Sequence, residues 1–263
     1  MLVVFGFGLI IGSFLNVVIY RYNTGQSIVS GRSACGVCGK KLLWYELVPV
    51  LSFVFQRGRC RDCGTRVSWQ YPVVELATAL LFTGAFYMHG LSGLFVVDAA
   101  VFSLLIVIFV YDLKHKIIPN GCVYPFIGLA LAVVLTRFVF GESRHLIAYD
   151  LAAGVLIAGF FFILWAVSRG RWLGFGDVKL ALGIGWFLGL AKGVSAIIIG
   201  FWLGAIVGVI LIALSRMHTL TIGGVSLTFS RKSELPFAPF LIIGLIIAYF
   251  FGIDVLQLHL FLA

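Results

Sequence analysis

The chain alternates long apolar runs with polar segments, one of which is much longer than the rest. A transmembrane helix needs about 20 mostly apolar residues, at about 1.5 Å of rise per residue, to cross roughly 30 Å of hydrocarbon. The candidate runs are 2–20, 73–90, 94–111, 117–137, 146–168, 178–191, 194–214 and 236–260. This pattern predicts an all-α polytopic membrane protein with about eight transmembrane helices.

The weakest candidate is the run 178–191, because fourteen helical residues reach only about 21 Å. Local thinning of the bilayer, continuation into the next run, and a start below the cytoplasmic surface are three arrangements that fit this length. Small residues at four-residue spacing also favour close packing of helices within the chain rather than between copies. These glycines are Gly8 and Gly12 and, separately, Gly200, Gly204 and Gly208.

Composition removes several classes of protein. Hydrophobic residues make up 62% of the chain and charged residues 11%, and the mean hydropathy is +1.12. Average soluble domains are roughly 45–50% apolar and about 25% charged, so this chain has too little polar surface to cover a globule in water. A soluble enzyme, a disordered chain and a disulfide-stapled secreted module are therefore excluded.

Charge predicts the orientation in the membrane. The formal net charge is +9, from 19 Lys and Arg residues against 10 Asp and Glu residues. If the longest polar segment, 21–72, lies in the cytoplasm, only Arg137, Arg144 and Lys192 fall on the outer side and the other sixteen basic residues lie inside. That bias follows the positive-inside rule and predicts that both termini lie outside the cytoplasm. It also explains the basic charge without a nucleic-acid partner, and we expect none.

Four cysteines lie in the 21–72 segment as two C-x-x-C pairs, Cys35 with Cys38 and Cys60 with Cys63, separated by 21 residues. This spacing is close to that of a zinc ribbon, in which four thiolates close a tetrahedral shell around one structural zinc ion. Disulfides are disfavoured in the reducing cytoplasm. A metal-free or redox-active set of thiols is the remaining alternative. The predicted domains are a first transmembrane helix (1–20), a small cytoplasmic zinc-ribbon-like loop domain (21–72) and a seven-helix transmembrane domain (73–263).

Two of the ten acidic residues have an unusual position. Asp112 ends one predicted span and Asp177 begins another, both at the cytoplasmic boundary. Two neighbouring carboxyl groups share a proton, so one can activate water while the other polarises a carbonyl, as in an aspartic peptidase. The alternative is an N-cap at Asp177 and an interfacial counterion to Lys114 at Asp112. Glu75 lies in the first turn of a span, where a structural role is favoured.

Seven motifs in order along the chain resemble those of one family, the bacterial type IV prepilin peptidases. They begin at the first span and extend to the last span, and so cover nearly the whole chain. The motifs are Gly12-Ser13-Phe14-Leu15-Asn16 through Arg21, the two C-x-x-C pairs, Arg57-Gly58-Arg59-Cys60-Arg61, Tyr71-Pro72-Val73-Val74-Glu75-Leu76, Asp112 with Ile118-Pro119-Asn120, Gly174-Phe175-Gly176-Asp177-Val178-Lys179, and Leu235-Pro236-Phe237-Ala238-Pro239-Phe240.

The resemblance implies a bifunctional enzyme of the bacterial inner membrane. By it, Asp112 and Asp177 are the catalytic aspartates of a membrane aspartic peptidase, 73–263 is the peptidase domain, and the cysteine loop holds zinc. The family removes a short basic leader from type IV prepilins or pseudopilins after a glycine, at the cytoplasmic face. It then methylates the new N-terminal amine using S-adenosylmethionine.

The methyltransferase half is less defined by sequence, because the chain has no Rossmann glycine fingerprint and the donor-binding residues are unassigned. Asn16, Arg21 and Glu75 are polar positions in matching motifs and candidates to line that site. A peptidase without methyltransferase activity, a transporter, and a non-catalytic assembly protein of a secretion machine are the alternatives. The substrate, the export system served and the oligomeric state are not predicted.

Helix dipoles suggest separate roles for the two aspartates. A helix N-terminus favours a negative charge on Asp177, and a helix C-terminus disfavours one on Asp112. Asp177 is therefore expected to be the base and Asp112 the proton carrier, although the nearby Lys114 argues for the opposite assignment.

Overall fold

A computed structural model describes residues 1–139, 144–217, 220–222, 225–227 and 235–257. Within these ranges the secondary structure is mostly α-helical, except that residues 22–69 contain only two short helices. The α-helices are α1 (Leu2–Arg21), α2 (Leu51–Phe55), α3 (Gln70–His89), α4 (Gly93–His115), α5 (Asn120–Val139), α6 (Arg144–Ser168), α7 (Phe175–Met217) and α8 (Ala238–Phe251). A 3-10 helix covers Trp44–Glu46, and strands β1 (Leu220–Ile222) and β2 (Val225–Leu227) form a short antiparallel hairpin.

The predicted helical membrane fold is confirmed. In the described part of the chain, six helices are long and apolar enough to span a membrane: α1, α3, α4, α5, α6 and α7. Helix α8 is apolar but shorter, and it ends at Phe251 because Gly252 adopts a left-handed conformation (φ 61°, ψ 28°). The prediction that the last helix continues to residue 260 is therefore wrong at its C-terminal end. Glu234 and two basic residues counted for sidedness, Arg231 and Lys232, lie outside the described residues.

Helix α7 is two helices joined at Gly189, where the backbone has φ 74° and ψ −177°. Glycine adopts this conformation at little cost, whereas a residue with a side chain does not. The chain doubles back there, because a Cβ atom on Gly193 would lie 3.5 Å from the Cα of Gly185. We call residues 175–188 the first arm and residues 190–217 the second arm. The two predicted runs 178–191 and 194–214 correspond to these arms, so eight apolar helical segments are present among the described residues.

The chain divides into two compact units, Met1–Val110 and Tyr111–Ala263. In the first unit, α1 and α3 pack at a distance that only glycine permits. A Cβ atom on Gly8 would lie 2.6 Å from the Cα of Ala79, and one on Gly12 would lie 2.6 Å from the Cα of Glu75. Real Cβ atoms do not approach backbone this closely, so the small residues are what brings the two helices together.

In the second unit, α5, α6 and α8 pack against α7. Gly183 in the first arm faces the ring of Phe126 in α5, and a Cβ atom on Gly185 would lie 2.6 Å from the Cα of Gly154 in α6. The second arm contacts α8 and the residues just before it, through the three evenly spaced glycines. A Cβ atom on Gly200 would lie 3.0 Å from the Phe240 carbonyl oxygen, and one on Gly204 would lie 3.4 Å from the Phe240 ring. A Cβ atom on Gly208 would lie 3.6 Å from Leu235 Cδ1. The prediction of intramolecular glycine packing is confirmed.

Candidate active site and cysteine centre

Asp112 lies in the last turn of α4, and its side chain is buried although the residues that follow it are exposed. The backbone N–H of Lys116 donates to the Asp112 carbonyl at 2.8 Å, and Lys116 itself has a positive φ of 54°. This left-handed residue ends the helix, and the chain then runs through Pro119 to the start of α5. The end of α4 therefore holds Asp112 inward while Lys114 points to the exposed side.

Asp177 lies in the first turn of α7 and is also buried. Two hydrogen bonds connect it to Gly174. The Gly174 N–H donates to Asp177 Oδ2 at 3.0 Å, and the Asp177 N–H donates to the Gly174 carbonyl at 3.1 Å. Asp177 is therefore the third residue of the helix, bonding back to the residue that precedes the helix, and not the N-cap residue considered from sequence. The contact leaves Oδ1 available for other chemistry.

The segment after Asp112 packs so closely against residue 176 that only glycine fits there. A Cβ atom on Gly176 would lie 2.9 Å from Ile118 Cβ, so any side chain there would push Ile118 away. A second contact joins the same regions, because Lys179 Nζ donates to Asn120 Oδ1 at 2.9 Å and lies 4.8 Å from the centre of the Tyr124 ring. The Ile-Pro-Asn and Gly-x-Gly-Asp motifs are thus packed directly against each other.

These contacts bring Asp112 and Asp177 into one buried site. The two carboxyl groups are close enough that a negative charge on Asp112 disfavours a second charge on Asp177. Asp112 accepts a hydrogen bond from the backbone N–H of Ala238, at the start of α8, and its Oδ2 has no hydrogen-bond partner among the described residues. Two neighbouring acids of this kind cannot both ionise easily, and a shared proton is the arrangement that general acid–base chemistry on a peptide bond requires.

The amide of Ala238 was not expected from the dipole argument about the two aspartates. Ala238 begins α8, so its N–H belongs to a helix N-terminus that favours a negative charge on Asp112. Each aspartate therefore accepts a hydrogen bond from a backbone amide at a helix start. The Leu-Pro-Phe-Ala-Pro motif was the sequence signal for this contact, but it carried no information about which residue it reaches.

Measured from the turn at Gly189, Asp177 lies beside the middle of the second arm and not beside its far end. Asp177 is twelve residues before Gly189, which corresponds to about 18 Å of helix, whereas the second arm continues for about 40 Å from the same turn. Contacts of α8 agree with this, because Gly204 and Gly208 in the second arm lie beside Phe240 and Leu235. The short helix predicted from sequence thus continues through a turn into the next helix and begins within the span of its neighbour.

In the other unit, the four loop cysteines form a single cluster, with all four Sγ atoms within 4.8 Å of one another. The two pairs have the same backbone pattern. Cys35 and Cys60 each donate an N–H to the carbonyl five residues ahead, at 2.9 Å, and accept an N–H from the glycine four residues ahead, Gly39 or Gly64. Both glycines have positive φ, 72° and 70°. The sequence repeat C-x-x-C-G is therefore two equivalent knuckles.

The cluster has the dimensions of a tetrahedral metal site. Zinc–sulfur bonds of about 2.3 Å place the corners of a tetrahedron roughly 3.8 Å apart, and Cys35 Sγ lies 3.8 Å from Cys63 Sγ. All four cysteines are free thiols rather than disulfides. A hydrogen bond with the Thr65 hydroxyl, helped by the Thr65 backbone, lowers the pKa of Cys63 to about 6, so this sulfur is suited to bind a metal as a thiolate.

The candidate methyltransferase residues are polar links around the α1–α3 contact and the loop. Asn16 Nδ2 donates to the Tyr71 carbonyl at 3.1 Å, and Asn16 Oδ1 accepts from Gln70 Nε2 at 3.2 Å. Glu75 Oε2 accepts the N–H of Val50 at 2.7 Å. The Arg21 guanidinium is occupied by backbone carbonyls of the loop, with a 2.9 Å bond to Ser30 O. These bonds give each residue a structural role.

Comparison with known proteins identifies the family. The chain is 34% identical over 262 residues to the prepilin leader peptidase/N-methyltransferase of Bacillus subtilis (strain 168), covering 99% of this chain and 98% of that one. The chain belongs to the prepilin leader peptidase/N-methyltransferase family. This membership excludes the transporter and the non-catalytic assembly protein considered from sequence.

Other members of the prepilin leader peptidase/N-methyltransferase family match over part of the chain. The enzyme of Myxococcus xanthus (strain DK1622) is 39% identical over 178 residues, 67% of this chain and 52% of that one. The enzyme of Vibrio cholerae serotype O1 is 34% identical over 187 residues, 67% of this chain and 72% of that one. No solved structure matches this chain.

Two family models divide the chain between the two candidate sites. Residues 6–89 match the bacterial peptidase A24 N-terminal domain, and residues 99–209 match the type IV leader peptidase family. The four cysteines fall in the first match, and Asp112 and Asp177 fall in the second.

Proposed function

We propose that this protein removes the short basic leader of a type IV prepilin or pseudopilin after a glycine, and then methylates the new N-terminal amine. Family membership supports the pair of activities. The observation that carries the peptidase assignment is the buried pair of carboxyl groups, Asp112 and Asp177, held together through Gly176 and Ile118.

In the proposed mechanism the substrate peptide lies between the two aspartates. One carboxylate removes a proton from a water molecule, which attacks the scissile carbonyl, while the protonated partner donates its proton to the carbonyl oxygen. The neutral tetrahedral intermediate then collapses. The leaving amine takes up a proton from the carboxyl group that received one from water, while the other carboxylate takes back a proton from a hydroxyl group of the intermediate, which restores both aspartates. No covalent bond to the enzyme forms.

The hydrogen bonds of the two aspartates support one reactive oxygen on each carboxyl group. Asp177 Oδ2 is occupied by the Gly174 amide, so Oδ1 is its reactive oxygen. On Asp112 the unpartnered Oδ2 is the reactive oxygen. We retain Asp177 as the expected base and Asp112 as the proton carrier, although the Ala238 amide reduces the difference between them.

Incubation of the purified protein with a purified prepilin tests the proposal. We expect the prepilin to lose the mass of its leader and, with S-adenosylmethionine present, to gain one methyl group. Asp112→Asn and Asp177→Asn should both abolish cleavage, whereas Asp62→Asn, at an exposed acid of the cysteine loop, should not. Cleavage by either of the first two variants would contradict the shared-proton mechanism.

We further propose that Cys35, Cys38, Cys60 and Cys63 hold one structural zinc ion. The sulfur distances and the two matching knuckles support a tetrahedral thiolate site. Zinc would supply the core that a small polar segment lacks, since closing a loop with a metal replaces buried apolar surface. Metal analysis of the purified protein should find one zinc per chain, which a redox-active set of thiols would not retain.

We propose the bacterial inner membrane as the location, with the aspartates and the cysteine cluster toward the cytoplasm and both termini outside. The distribution of Lys and Arg supports this orientation. The division into 1–20, 21–72 and 73–263 likewise stays a prediction. A reporter domain that functions only outside the cytoplasm should therefore be active when it is fused to the C-terminus.

A further inference from the structure

The cysteine loop of the first unit is attached to α3 at an unusual point. Val50, just before α2, has φ 60° and ψ −49°, a strained conformation with positive φ that a β-branched residue rarely adopts and that costs about 1–3 kcal/mol. Its N–H donates to the buried carboxylate of Glu75 at 2.7 Å, and the side chain of Ser13 also hydrogen-bonds Glu75. This hydrogen bond to a buried carboxyl group offsets part of the backbone strain and attaches the start of α2 to α3.

The attachment point lies within the membrane-spanning helices rather than above them. Glu75 is five residues past Gln70, the first residue of α3, which is about 7 Å along the helix axis. Ser13 is eight residues before Arg21, the last residue of α1, which is about 12 Å. If α1 and α3 span the membrane over these lengths, Val50 and the start of α2 are expected at the depth of the lipid headgroups or below.

Helix α2 exposes an apolar face at this depth. Leu51, Val54 and Phe55 are spaced i, i+3 and i+4, so they share one side of the helix, and all three are exposed, Phe55 by 78%. We call these three residues the α2 face. The opposite side is packed, because the Phe53 ring lies 4.9 Å from the ring of Trp69, the residue before α3. Trp69 is itself exposed, as aromatic residues at membrane interfaces are.

The residues near the α2 face are mainly positively charged, which favours binding to a negatively charged surface. The segment 21–72 contains eight basic residues and two acids, and both acids lie within 4.0 Å of Lys40. The residues directly after α2 include Arg57, Arg59 and Arg61. An apolar helix face followed by arginines matches the boundary between acyl chains and anionic headgroups.

We propose that the α2 face is embedded in the headgroup region of an anionic phospholipid bilayer, with the arginines after it binding lipid phosphates. The loop would then be a membrane-anchored element, not a domain that moves freely in the cytoplasm, and Glu75 would be the positioning residue that sets its depth. This proposal rests on the first unit alone and does not depend on the catalytic assignment.

Photo-crosslinking of the full-length protein in vesicles tests the proposal directly. Phe55 is replaced by p-benzoylphenylalanine, the protein is reconstituted in equal parts of phosphatidylcholine and phosphatidylglycerol, and lipid adducts are measured by intact mass after illumination. The matched control carries the same replacement at Val37, which is 71% exposed on the first cysteine knuckle. We expect roughly fivefold or more lipid adduct from position 55 than from position 37.

The second measurement removes the positive charges beside the α2 face. With Arg57→Gln and Arg59→Gln, the ratio of phosphatidylglycerol to phosphatidylcholine adducts from position 55 should fall by about fivefold per arginine that binds phosphate. Equal lipid adducts from positions 55 and 37 would overturn the proposal. A crosslinked product of twice the chain mass from position 55 would show that a second copy covers the α2 face, and would overturn it too.

Discussion

Glu75 and Asp112 are buried to almost the same extent, with 6% and 5% of their surfaces exposed, and each accepts a backbone N–H from a distant segment. Their other neighbours differ. Glu75 has a second hydrogen bond, from Ser13, whereas Asp112 keeps one oxygen without a partner among the described residues and interacts with the charge of Asp177. Burial alone therefore does not distinguish a structural acid from a reactive one in this protein.

The difference in hydrogen bonding corresponds to a structural role for Glu75 and a reactive role for Asp112. An acid that is hydrogen-bonded from two segments, as Glu75 is from Val50 and Ser13, holds those segments together. An acid with a free oxygen beside a second acid is costly for stability and is maintained where chemistry uses it. The predictions below compare the two regions, beginning with the largest expected effect.

The same chemical change at both acids should have opposite consequences. Asp112→Asn removes the proton carrier and should lower prepilin cleavage by about 10³-fold or more, with an unfolding temperature that is unchanged or higher. Glu75→Gln keeps an acceptor for Val50 but loses its charge, and should cost about 1 kcal/mol of stability with little change in cleavage. Cleavage rates and thermal unfolding in detergent measure both. Equal effects of the two variants on cleavage would contradict the comparison.

The cysteine centre should depend on each of its ligands. Cys63→Ser should reduce bound zinc to well below one ion per chain and make the segment 21–72 sensitive to proteolysis, because the metal supplies its core. Cys122→Ala, at the buried cysteine of α5, is the control and should leave zinc unchanged. A chelator should reproduce the Cys63→Ser effect. Full retention of zinc in Cys63→Ser would show that this thiol is not a ligand.

Crowding between the two aspartate motifs should slow cleavage without abolishing it. Gly176→Ala would place a Cβ atom 2.9 Å from Ile118 and shift Asp177 relative to Asp112, with an expected loss in kcat of about tenfold. Gly159→Ala in α6, where a Cβ atom meets nothing within 4 Å, is the control and should cleave normally. Normal kcat in Gly176→Ala would mean that the contact with Ile118 does not position the aspartates.

The smallest effect is expected from the exposed ion pair of the loop. Lys40 Nζ lies 2.6 Å from Asp62, whose side chain is exposed, and 3.6 Å from Glu46, which is buried. An exposed pair contributes about 0–1 kcal/mol, so Asp62→Asn, which leaves the Glu46 pair in place, should change the unfolding temperature of the loop only slightly and leave zinc bound. A loss of zinc in this variant would give the Lys40–Asp62 pair a larger role than its geometry indicates.

Much of this architecture follows from local sequence. The apolar runs define the helices, C-x-x-C spacing determines which thiols can share a metal, and the Gly-x-Gly-Asp motif places an acid at a helix start. These features depend on residues close together in the chain. The turn at Gly189 was missed by a few residues, since an unbroken apolar run on both sides hides the position at which the chain reverses.

Other features depend on contacts between distant segments. The residue type at position 50 does not predict a positive φ, since valine rarely adopts one, and the hydrogen bond from Val50 to Glu75 joins segments 25 residues apart. The Ala238 amide near Asp112 likewise requires α8 to begin beside the end of α4. The end of α8 did have a local signal, Gly252 after Phe251, but the apolar residues beyond it made the helix look longer than it is.

The turn at Gly189 has a consequence for how this protein tolerates insertions and deletions. The turn at Gly189 defines one end of the first arm, and Asp177 lies near the other end. Each residue of an α-helix advances the axis by about 1.5 Å and turns it by about 100°. Deleting one residue between them would swing the carboxyl group of Asp177 around the helix, so the number of residues in that arm aims the carboxylate as well as setting its height.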